Sequence, residues 1–439
     1  KTKNSQKKTK EKRTDRWGKF AILNLEKKEI FGRVFSTDKN KIYIFQNNSV
    51  SEFFIPENAG NDFESIDVGD IVKINFSIEN GDYYARSVIL LNRPMLNPVT
   101  DPDSFLNRYL RNNVGFNIAN REKYFKYIRE FFSEREFIEL HTPTLTESPG
   151  IETYIEPFQT TYYAYNNDKI HYYLPTSPEF SLKEALTLGY DNIYEIAKVF
   201  RNSGEKSQYH SPEFFMLEWY RAYANYEAII EDCSRLLKYL SLRIYNNPII
   251  KHKRGVIDLS DAKTVAVKEL FEEYGINLDL YSSDPAKFIK EVNSHYSCDL
   301  SDVQKDDVFF KFFMDKIEPT LGYDKPVFVC SYPIDMCGLS NVCKNSALYG
   351  ERFELYILGI ECANGFGELT DPVKQKENFE KTLKFRNKNA IYKLSMPNRF
   401  IKALKYGIPP CSGVALGLER LFMILFDVDS IEYTRICEI

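Results

Sequence analysis

The segment 194–221 places charged side chains inside strongly apolar sequence. Arg201 follows an alternating run that is typical of a β-strand, and Glu218 lies within 214–220, a second run of strand-forming residues. A buried charge is costly unless it has a partner. Two interpretations follow: ligand-binding groups at an active site, or a structural ion pair on a hairpin.

Two further carboxylates, Glu354 and Glu361, lie within 351–365. This stretch is typical of two strands joined by a turn at Leu358-Gly359, which can bring both carboxylates to one side. Converging carboxylates suit a hard cation such as Mg²⁺, which keeps its waters and bridges substrate phosphates. The sequence therefore predicts a cation site next to a phosphate-bearing ligand.

Two more segments carry candidate chemistry. Ser177 precedes a helical pattern in which it can cap the helix, and Glu179 then lies in the first turn. Taken alone, Glu179 reads as a carboxylate that the helix dipole favours. The small-residue strand 411–417 leads into an amphipathic helix, where Gly417 permits close approach of a ligand and Arg420 lies in the first turn.

Composition excludes several classes of protein. The chain has 439 residues, of which 43% are hydrophobic and 27% charged, so it can form two or three domains with full cores. Its eight cysteines include no Cys-x-x-Cys pair and its five histidines are scattered, which argues against zinc and against a histidine-dependent triad. The sequence shows no apolar run of about eighteen residues and no signal peptide, which predicts a cytoplasmic protein without a membrane span.

The first hundred residues predict a tail and a small barrel. Residues 1–16 carry eight Lys or Arg and two acidic residues, so 1–18 is interpreted as a basic flexible tail, either solvated or in contact with a polyanion. Five short strand-like runs follow at 30–35, 41–45, 50–55, 71–78 and 83–91, with an Asn80-Gly81 hairpin turn. They predict an OB-type β-barrel over 19–100, a fold that often binds nucleic acid. The Pro- and Asn-rich linker 92–103 then leads into a larger domain over 101–439.

The order of elements after the linker is informative. An amphipathic helix at 121–137 runs into an extended segment ending at Pro143; a strand, Arg201, a loop and a second strand follow; the small-residue strand, Arg420 and a helix close the chain. This order resembles the three motifs of class II aminoacyl-tRNA synthetases. HSPEF at 210–214, MLEWY at 216–220 and NGFGEL at 364–369 are similar to the lysyl branch. The resemblance implies an α+β fold, with an antiparallel sheet flanked by helices behind the barrel, and a homodimer.

Within that branch, three places are similar to the ligases that attach lysine or β-lysine to elongation factor P. They are TSPE at 176–179, the short stretch 309–333, and CSGVALG at 411–417, where Ala415 stands at a position that is typically glycine in lysyl-tRNA synthetases. The resemblance implies a lysine of elongation factor P as the acceptor. A ligase that charges tRNA(Lys) is the alternative, favoured by the barrel and the basic tail. A non-catalytic paralogue that binds lysine or nucleotide is the third.

The resemblance also implies roles for individual residues. Arg201 holds the substrate carboxylate against the α-phosphate, Phe214 stacks on adenine and Glu368 with Tyr220 grips the side-chain amine of lysine, while Glu179 takes its α-amine. The implied catalytic residues are Arg201, Glu205 and Arg420. The implied ATP-binding residues are Arg201, Asn202, His210, Phe214, Glu361, Gly417 and Arg420. The implied substrate-binding residues are Ser177, Glu179, Glu218, Tyr220, Asn364, Glu368 and Ala415. The implied Mg²⁺ ligands are Glu354 and Glu361.

Two places depart from the family pattern. Ser203 stands two residues after Arg201, where the family usually has glutamate, and Glu205 is the candidate replacement. In the barrel, lysyl-tRNA synthetases contact the anticodon with an aromatic residue and a glutamine. The matching positions in this chain are Ile42 and Glu52. The second departure weakens the expectation of a tRNA acceptor.

Overall fold

The computed structural model describes residues 28–38, 40–47, 49–56, 62–166, 168–202, 207–297, 299–300, 302–388 and 390–436. The predicted basic tail, Ser203 and Glu205 lie outside these residues. The chain divides into two compact units, residues 1–120 with 435–438 and residues 121–434 with 439. The domain limits predicted from the sequence stay predictions.

Five strands of the first unit form a closed barrel, which confirms the predicted OB-type architecture. They are β1 (Glu29–Asp38), β2 (Lys41–Gln46), β3 (Ser49–Phe54), β4 (Ile71–Glu79) and β5 (Asp82–Asn92). Their order around the barrel is β1-β2-β3-β5-β4. Alternation places Ile44 and Ile74 in the core without solvent exposure. Asn80 and Gly81 both have positive φ, as the hairpin turn between β4 and β5 requires.

The second unit is organised around one eight-stranded sheet. Its strands and those of two small hairpins are β6 (Ile138–Glu139), β7 (Gln159–Tyr163), β8 (Lys169–Tyr173), β9 (Asn192–Phe200), β10 (Glu213–Ala222), β11 (Ile249–His252), β12 (Gly255–Asp258), β13 (Lys263–Ala266), β14 (Val327–Pro333), β15 (Tyr349–Ile357), β16 (Ile360–Gly367) and β17 (Cys411–Gly417). The large sheet has the order β13-β14-β15-β16-β17-β10-β9-β6. All its pairs are antiparallel except β13 with β14 and β6 with β9. Strand β6 is last in this order and so forms one edge of the sheet.

The described helices are α1 (Phe105–Arg111), which belongs to the first unit, α2 (Val114–Ser133), α3 (Glu179–Leu186), α4 (Tyr226–Tyr245), α5 (Val267–Glu272), α6 (Leu280–Ser283), α7 (Pro285–Asn293), α8 (Lys305–Phe312), α9 (Pro372–Arg386), α10 (Asn398–Tyr406) and α11 (Leu418–Phe426). Leu217 and Trp219 of β10 share a buried cluster with Leu236 of α4 and Leu421 of α11. The side chains that alternate with them, Glu218 among them, therefore point to the opposite face of the sheet. Among the described residues, no helix is long and apolar enough to cross a membrane.

Two local predictions differ from the structure. Helix α3 begins at Glu179 with Pro178 at the N-cap and without a side-chain cap, so the predicted capping role of Ser177 is wrong. Ser177 lies one residue too early for its hydroxyl to meet the amides of the first turn. Helix α2 ends at Ser133, before the predicted limit, because the chain turns at Glu136, which has a φ of 60°.

Candidate active site

The register of the sheet aligns residues from distant parts of the sequence on one face. One row of Cα partners crosses β9, β10, β17, β16 and β15 and consists of Glu195, Glu218, Ala415, Asn364 and Glu354. The neighbouring row consists of Ile193, Tyr220, Gly413, Phe366 and Arg352. Partners opposite each other project from the same face of a sheet. Four predicted site residues, Glu218, Ala415, Asn364 and Glu354, thus share one surface.

An irregularity in the register brings Glu361 to this face as well. The pairing of β15 with β16 shifts after Leu355, so that Tyr356 lies opposite Glu361. Because Tyr356 and Glu354 alternate onto the same side of β15, Glu361 joins Glu354 there. The turn between the strands is at Leu358 and Gly359, both with positive φ, as predicted.

Three of the predicted substrate-binding carboxylates, Glu179, Glu218 and Glu368, are buried close together and form a cluster that we call the pocket. Glu179, Glu218 and Glu368 are 9%, 1% and 2% exposed. Tyr220 donates a 3.0 Å hydrogen bond to Glu218 Oε2. Burial raises the pKa of Glu368 to about 7, although Lys183 lowers it, and burial with the nearby Glu179 raises the pKa of Glu218 well above its usual range. Burial thus disfavours the ionised form of these carboxylates, whereas a nearby cation favours it.

The single buried cation of this cluster was not predicted from the sequence. Lys183 of α3 is 2% exposed, and its Nζ lies 2.5 Å from Glu179 Oε1 and 2.5 Å from Glu368 Oε2. The signal was available, since Lys183 follows Glu179 by four residues in a helical pattern and so shares its face. The pairing with Glu368 depends on the tertiary fold and has no sequence signal.

Arg201 lies beside this pocket with unused donor capacity. Its guanidinium carbon is 5.2 Å from the centre of the Phe214 ring, and its buried Nε has no hydrogen-bond partner among the described residues. Burial lowers the pKa of Arg201, whereas Glu152 and Glu361 raise it. Glu152, which the sequence interpretation did not include, also has a buried carboxylate oxygen, Oε2, without a hydrogen bond within the described part of the chain. A guanidinium with an unused N–H donor can bind an oxyanion ligand by donating a hydrogen bond to it.

Arg420 links two other predicted ATP-site residues. Its Nη1 donates to the backbone oxygen of Glu361 at 2.9 Å, and its Nη2 donates to His210 Nε2 at 2.8 Å. His210 Nδ1 lies 2.7 Å from Ser207 Oγ. Because Nε2 accepts from an arginine, the proton of the neutral imidazole is on Nδ1. Arg420, His210 and Glu361 line a cavity of about 400 Å³ together with Arg254 and Glu318.

The acidic side of this cavity suits a shared cation. Burial, followed by the charges of Glu361 and Glu354, raises the pKa of Glu318 to about 7, and burial with Glu354 also raises the pKa of Glu361. Glu354 already accepts hydrogen bonds of 2.6 Å each from Arg352, Tyr332 and Tyr356. In the part of the chain that the structure describes, no group of three or more His, Cys, Asp or Glu residues could hold a metal ion. These residues therefore fit a divalent cation that takes most of its ligands from phosphate and water.

The remaining predicted residues differ in how they face the site. A Cβ added to Gly417 would have no neighbour closer than 3.8 Å, so this position is open to a ligand. Asn202 instead uses its side chain to donate to the backbone oxygen of Pro157 at 3.4 Å. Ser177 is half-buried in front of α3.

Comparison with known proteins gives a consistent result. Residues 103–436 match the family described as tRNA synthetases class II (D, K and N). The chain is 34% identical over 319 residues to the Elongation factor P--(R)-beta-lysine ligase of Hamiltonella defensa subsp. Acyrthosiphon pisum, covering 72% of this chain and 92% of the relative. It is 34% identical to the ligase of the same name from Avibacterium paragallinarum and 33% identical to that of Haemophilus influenzae, in each case over 316 residues with the same two coverages.

Proposed function

Because the chain belongs to the class II tRNA synthetase family of the D, K and N type, we propose that it is an ATP-dependent ligase that activates lysine or β-lysine. The proposed product is an aminoacyl-adenylate, and the proposed acceptor is a lysine of elongation factor P. The names of these relatives include that acceptor, and the alignment with this chain covers 92% of the length of each relative. We also expect a homodimer in the cytoplasm, in line with the family resemblance.

The observation that carries this proposal is the charge of the buried pocket. Three buried carboxylates, Glu179, Glu218 and Glu368, lie close to one ammonium, that of Lys183, which is ion-paired with Glu179 and Glu368. Lysine and β-lysine each bring two ammonium groups and one carboxylate. The ammonium groups match the pocket, and the carboxylate matches Arg201 beside it.

The first step is a displacement at phosphorus. An oxygen of the substrate carboxylate forms a bond to the α-phosphorus of ATP, the bond from that phosphorus to the bridging oxygen breaks, and pyrophosphate leaves. In this proposal Arg201 holds the carboxylate and the α-phosphate together, and Arg420 with His210 holds the outer phosphates. Glu354 and Glu361 would hold Mg²⁺, which would supply positive charge for the leaving pyrophosphate.

The second step transfers the acyl group. The neutral side-chain amine of the acceptor lysine attacks the carbonyl carbon of the adenylate, an amide bond forms, and AMP leaves with the bonding electrons. The proton lost from the amine passes to solvent or to AMP. No covalent bond to the enzyme is required in either step.

Lysine-dependent exchange of pyrophosphate into ATP tests the first step. We expect exchange with lysine or β-lysine and none with norleucine, which lacks the side-chain amine and would leave Glu368 without a partner. Binding of lysine and ATP without exchange of pyrophosphate would instead indicate that this chain is a non-catalytic paralogue. Exchange with norleucine would refute the assignment of the pocket.

Charging of tRNA(Lys) is the second candidate, favoured by the outer surface of the barrel. Ile42 is 1% exposed in the barrel core, so comparing it with a base-contacting aromatic is wrong. The outer face of β2 carries Tyr43 instead, directly opposite Glu52. Phe54 and Tyr84 stack beside them with ring centres 5.4 Å apart, and Lys41 lies over Phe54. Aromatic side chains with a neighbouring cation are suited to bind single-stranded bases.

A further inference from the structure

Lys183 joins the two carboxylates that the proposed function assigns to opposite ends of the substrate. Glu179 is assigned to the α-amine and Glu368 to the side-chain amine, and the Nζ of Lys183 lies 2.5 Å from an oxygen of each. Glu179 is on the same helix, whereas Glu368 follows the end of β16. A helical residue is thus ion-paired to both substrate-facing acids.

The surroundings of Lys183 leave it few alternative positions. Its side chain is 3% exposed, and its Nζ lies 6.0 Å from the ring centres of Tyr220 and Phe400. The titratable groups around it are Glu179 on α3, Glu368 after β16, Glu218 and Tyr220 on β10 and Cys411 on β17. An ammonium held this way acts as a fixed counterion, because moving it would leave buried carboxylates without a partner.

The pairing leaves room for the substrate. Lys183 uses Oε1 of Glu179 and Oε2 of Glu368, and Tyr220 uses Oε2 of Glu218. Among the described residues, the second oxygen of each carboxylate has no side-chain hydrogen bond. Each acid can therefore accept a substrate ammonium while it stays paired on its other oxygen.

We propose that Lys183 is a positioning residue that sets the specificity of the pocket for diamino acids, by holding Glu179 and Glu368 in place and keeping Glu368 ionised for the substrate amine. This inference rests on the proposed function. Burial, and after it the charge of Glu179, raises the pKa of Glu368, and the charge of Lys183 opposes that rise. Removing this charge is therefore expected to make Glu368 take up a proton at neutral pH.

The test compares Lys183→Met with the wild type in lysine-dependent pyrophosphate exchange. We expect KM for lysine to rise roughly thirtyfold or more, as when a buried charge pair loses one partner, with KM for ATP little changed. In the wild type we expect KM for lysine to fall as the pH rises through about 7, because Glu368 must be ionised to bind the amine and burial raises the pKa of Glu368 to about 7. In the variant this transition is expected to move upward by about one unit or more.

Controls separate this role from a structural one. Lys376→Met removes the lysine of an exposed pair with Glu380 on α9 and is expected to change neither KM nor the pH profile. Lys183→Arg keeps the charge and is expected to keep the transition near its wild-type pH even where KM rises. Lys183→Gln, which keeps polar contacts without the charge, replaces the methionine variant if that one does not fold.

Specific results would overturn the inference. A lower melting temperature with unchanged KM and an unchanged pH profile would reduce Lys183 to a structural residue. A fall in KM for lysine would show that Lys183 competes with the substrate. If no neutral variant folds, the wild type alone provides the test. A fall in its KM for lysine only above about pH 8 would contradict the inference, because the charge of Lys183 would then not be lowering the pKa of Glu368. Absence of exchange in the wild type would refute the proposed function instead.

Discussion

Arg201 combines burial, a free donor and a position next to the acidic pocket. Its Nε has no partner among the described residues, and its guanidinium lies against Phe214. A buried donor without a hydrogen bond destabilises the folded protein when no anionic ligand is bound. A residue kept for stability alone would be expected to pair all of its donors, so we assign Arg201 to the reacting groups.

Replacing Arg201 with alanine is expected to slow lysine-dependent pyrophosphate exchange by roughly a hundred- to thousandfold. The reason is the loss of a preorganised charge at the phosphorus that undergoes displacement. Arg235→Ala, which removes an exposed pair with Glu231, is the matched control and is expected to leave the rate unchanged. Exchange at a near-normal rate in Arg201→Ala would remove Arg201 from the mechanism.

Glu368→Gln is expected to weaken lysine binding by roughly thirtyfold or more while nucleotide affinity stays the same, because the amide cannot balance the substrate ammonium. Calorimetric titration with lysine and with ATP measures both effects on one sample. Glu380→Gln, an exposed glutamate of α9, serves as the control. Equal lysine affinity in the wild type and in Glu368→Gln would end the assignment of the side-chain amine to this carboxylate.

Strand β17 forms the floor of the site, and its glycines have different surroundings. A Cβ added to Gly413 would lie 2.3 Å from the ring of Tyr220, whereas one added to Gly417 would meet only atoms at 3.8 Å or beyond. Between them, Ala415 lies opposite both Glu218 and Asn364. Packing against Tyr220 therefore requires glycine at position 413. At position 417 the protein leaves room for a larger residue, so only a bound ligand would require glycine there.

This contrast predicts different outcomes for two alanine variants. Gly413→Ala is expected to displace Tyr220 and raise KM for lysine, with a loss of thermal stability. Gly417→Ala is expected to leave stability unchanged and to raise KM for ATP. Thermal melts and separate KM values for the two substrates distinguish these effects. Unchanged KM for ATP in Gly417→Ala would show that ATP does not approach this part of the strand.

The hairpins were predictable from the sequence because their signals are local. The run of strand-forming residues around Glu218 and the turn at Gly359 can be recognised without knowledge of the rest of the chain. The pairing of Lys183 with Glu368 was not predictable, because it joins a helix to a strand end far away in the sequence. The irregular register that turns Glu361 toward Glu354 also has no local signal, since it depends on how β15 and β16 pair.

The barrel and the catalytic unit bear on the acceptor in different ways. The family match begins at residue 103, so the barrel lies outside it, and the relatives align with 72% of this chain. Those relatives are named as ligases of elongation factor P. The half-buried aromatic side chains Tyr43, Phe54 and Tyr84 on the outer face of the barrel are the structural feature that favours RNA instead.

A double substitution of Phe54 and Tyr84 by alanine tests the role of this surface in the full chain. If elongation factor P is the acceptor, transfer to it is expected to stay at the wild-type level. A tRNA acceptor would predict a loss of roughly 1–3 kcal/mol of binding for each stacked base. Titration with tRNA at several salt concentrations measures this loss and separates it from the contribution of phosphate contacts.

The most direct test of the central claim offers both acceptors to the enzyme at once. The full chain is incubated with ATP, radiolabelled lysine or β-lysine, unmodified elongation factor P and tRNA(Lys), and the label is followed in the protein and RNA fractions. The proposed function predicts label in an amide on a lysine of elongation factor P, formed only when ATP is present. Label that accumulates on tRNA(Lys) while elongation factor P stays unmodified would contradict it.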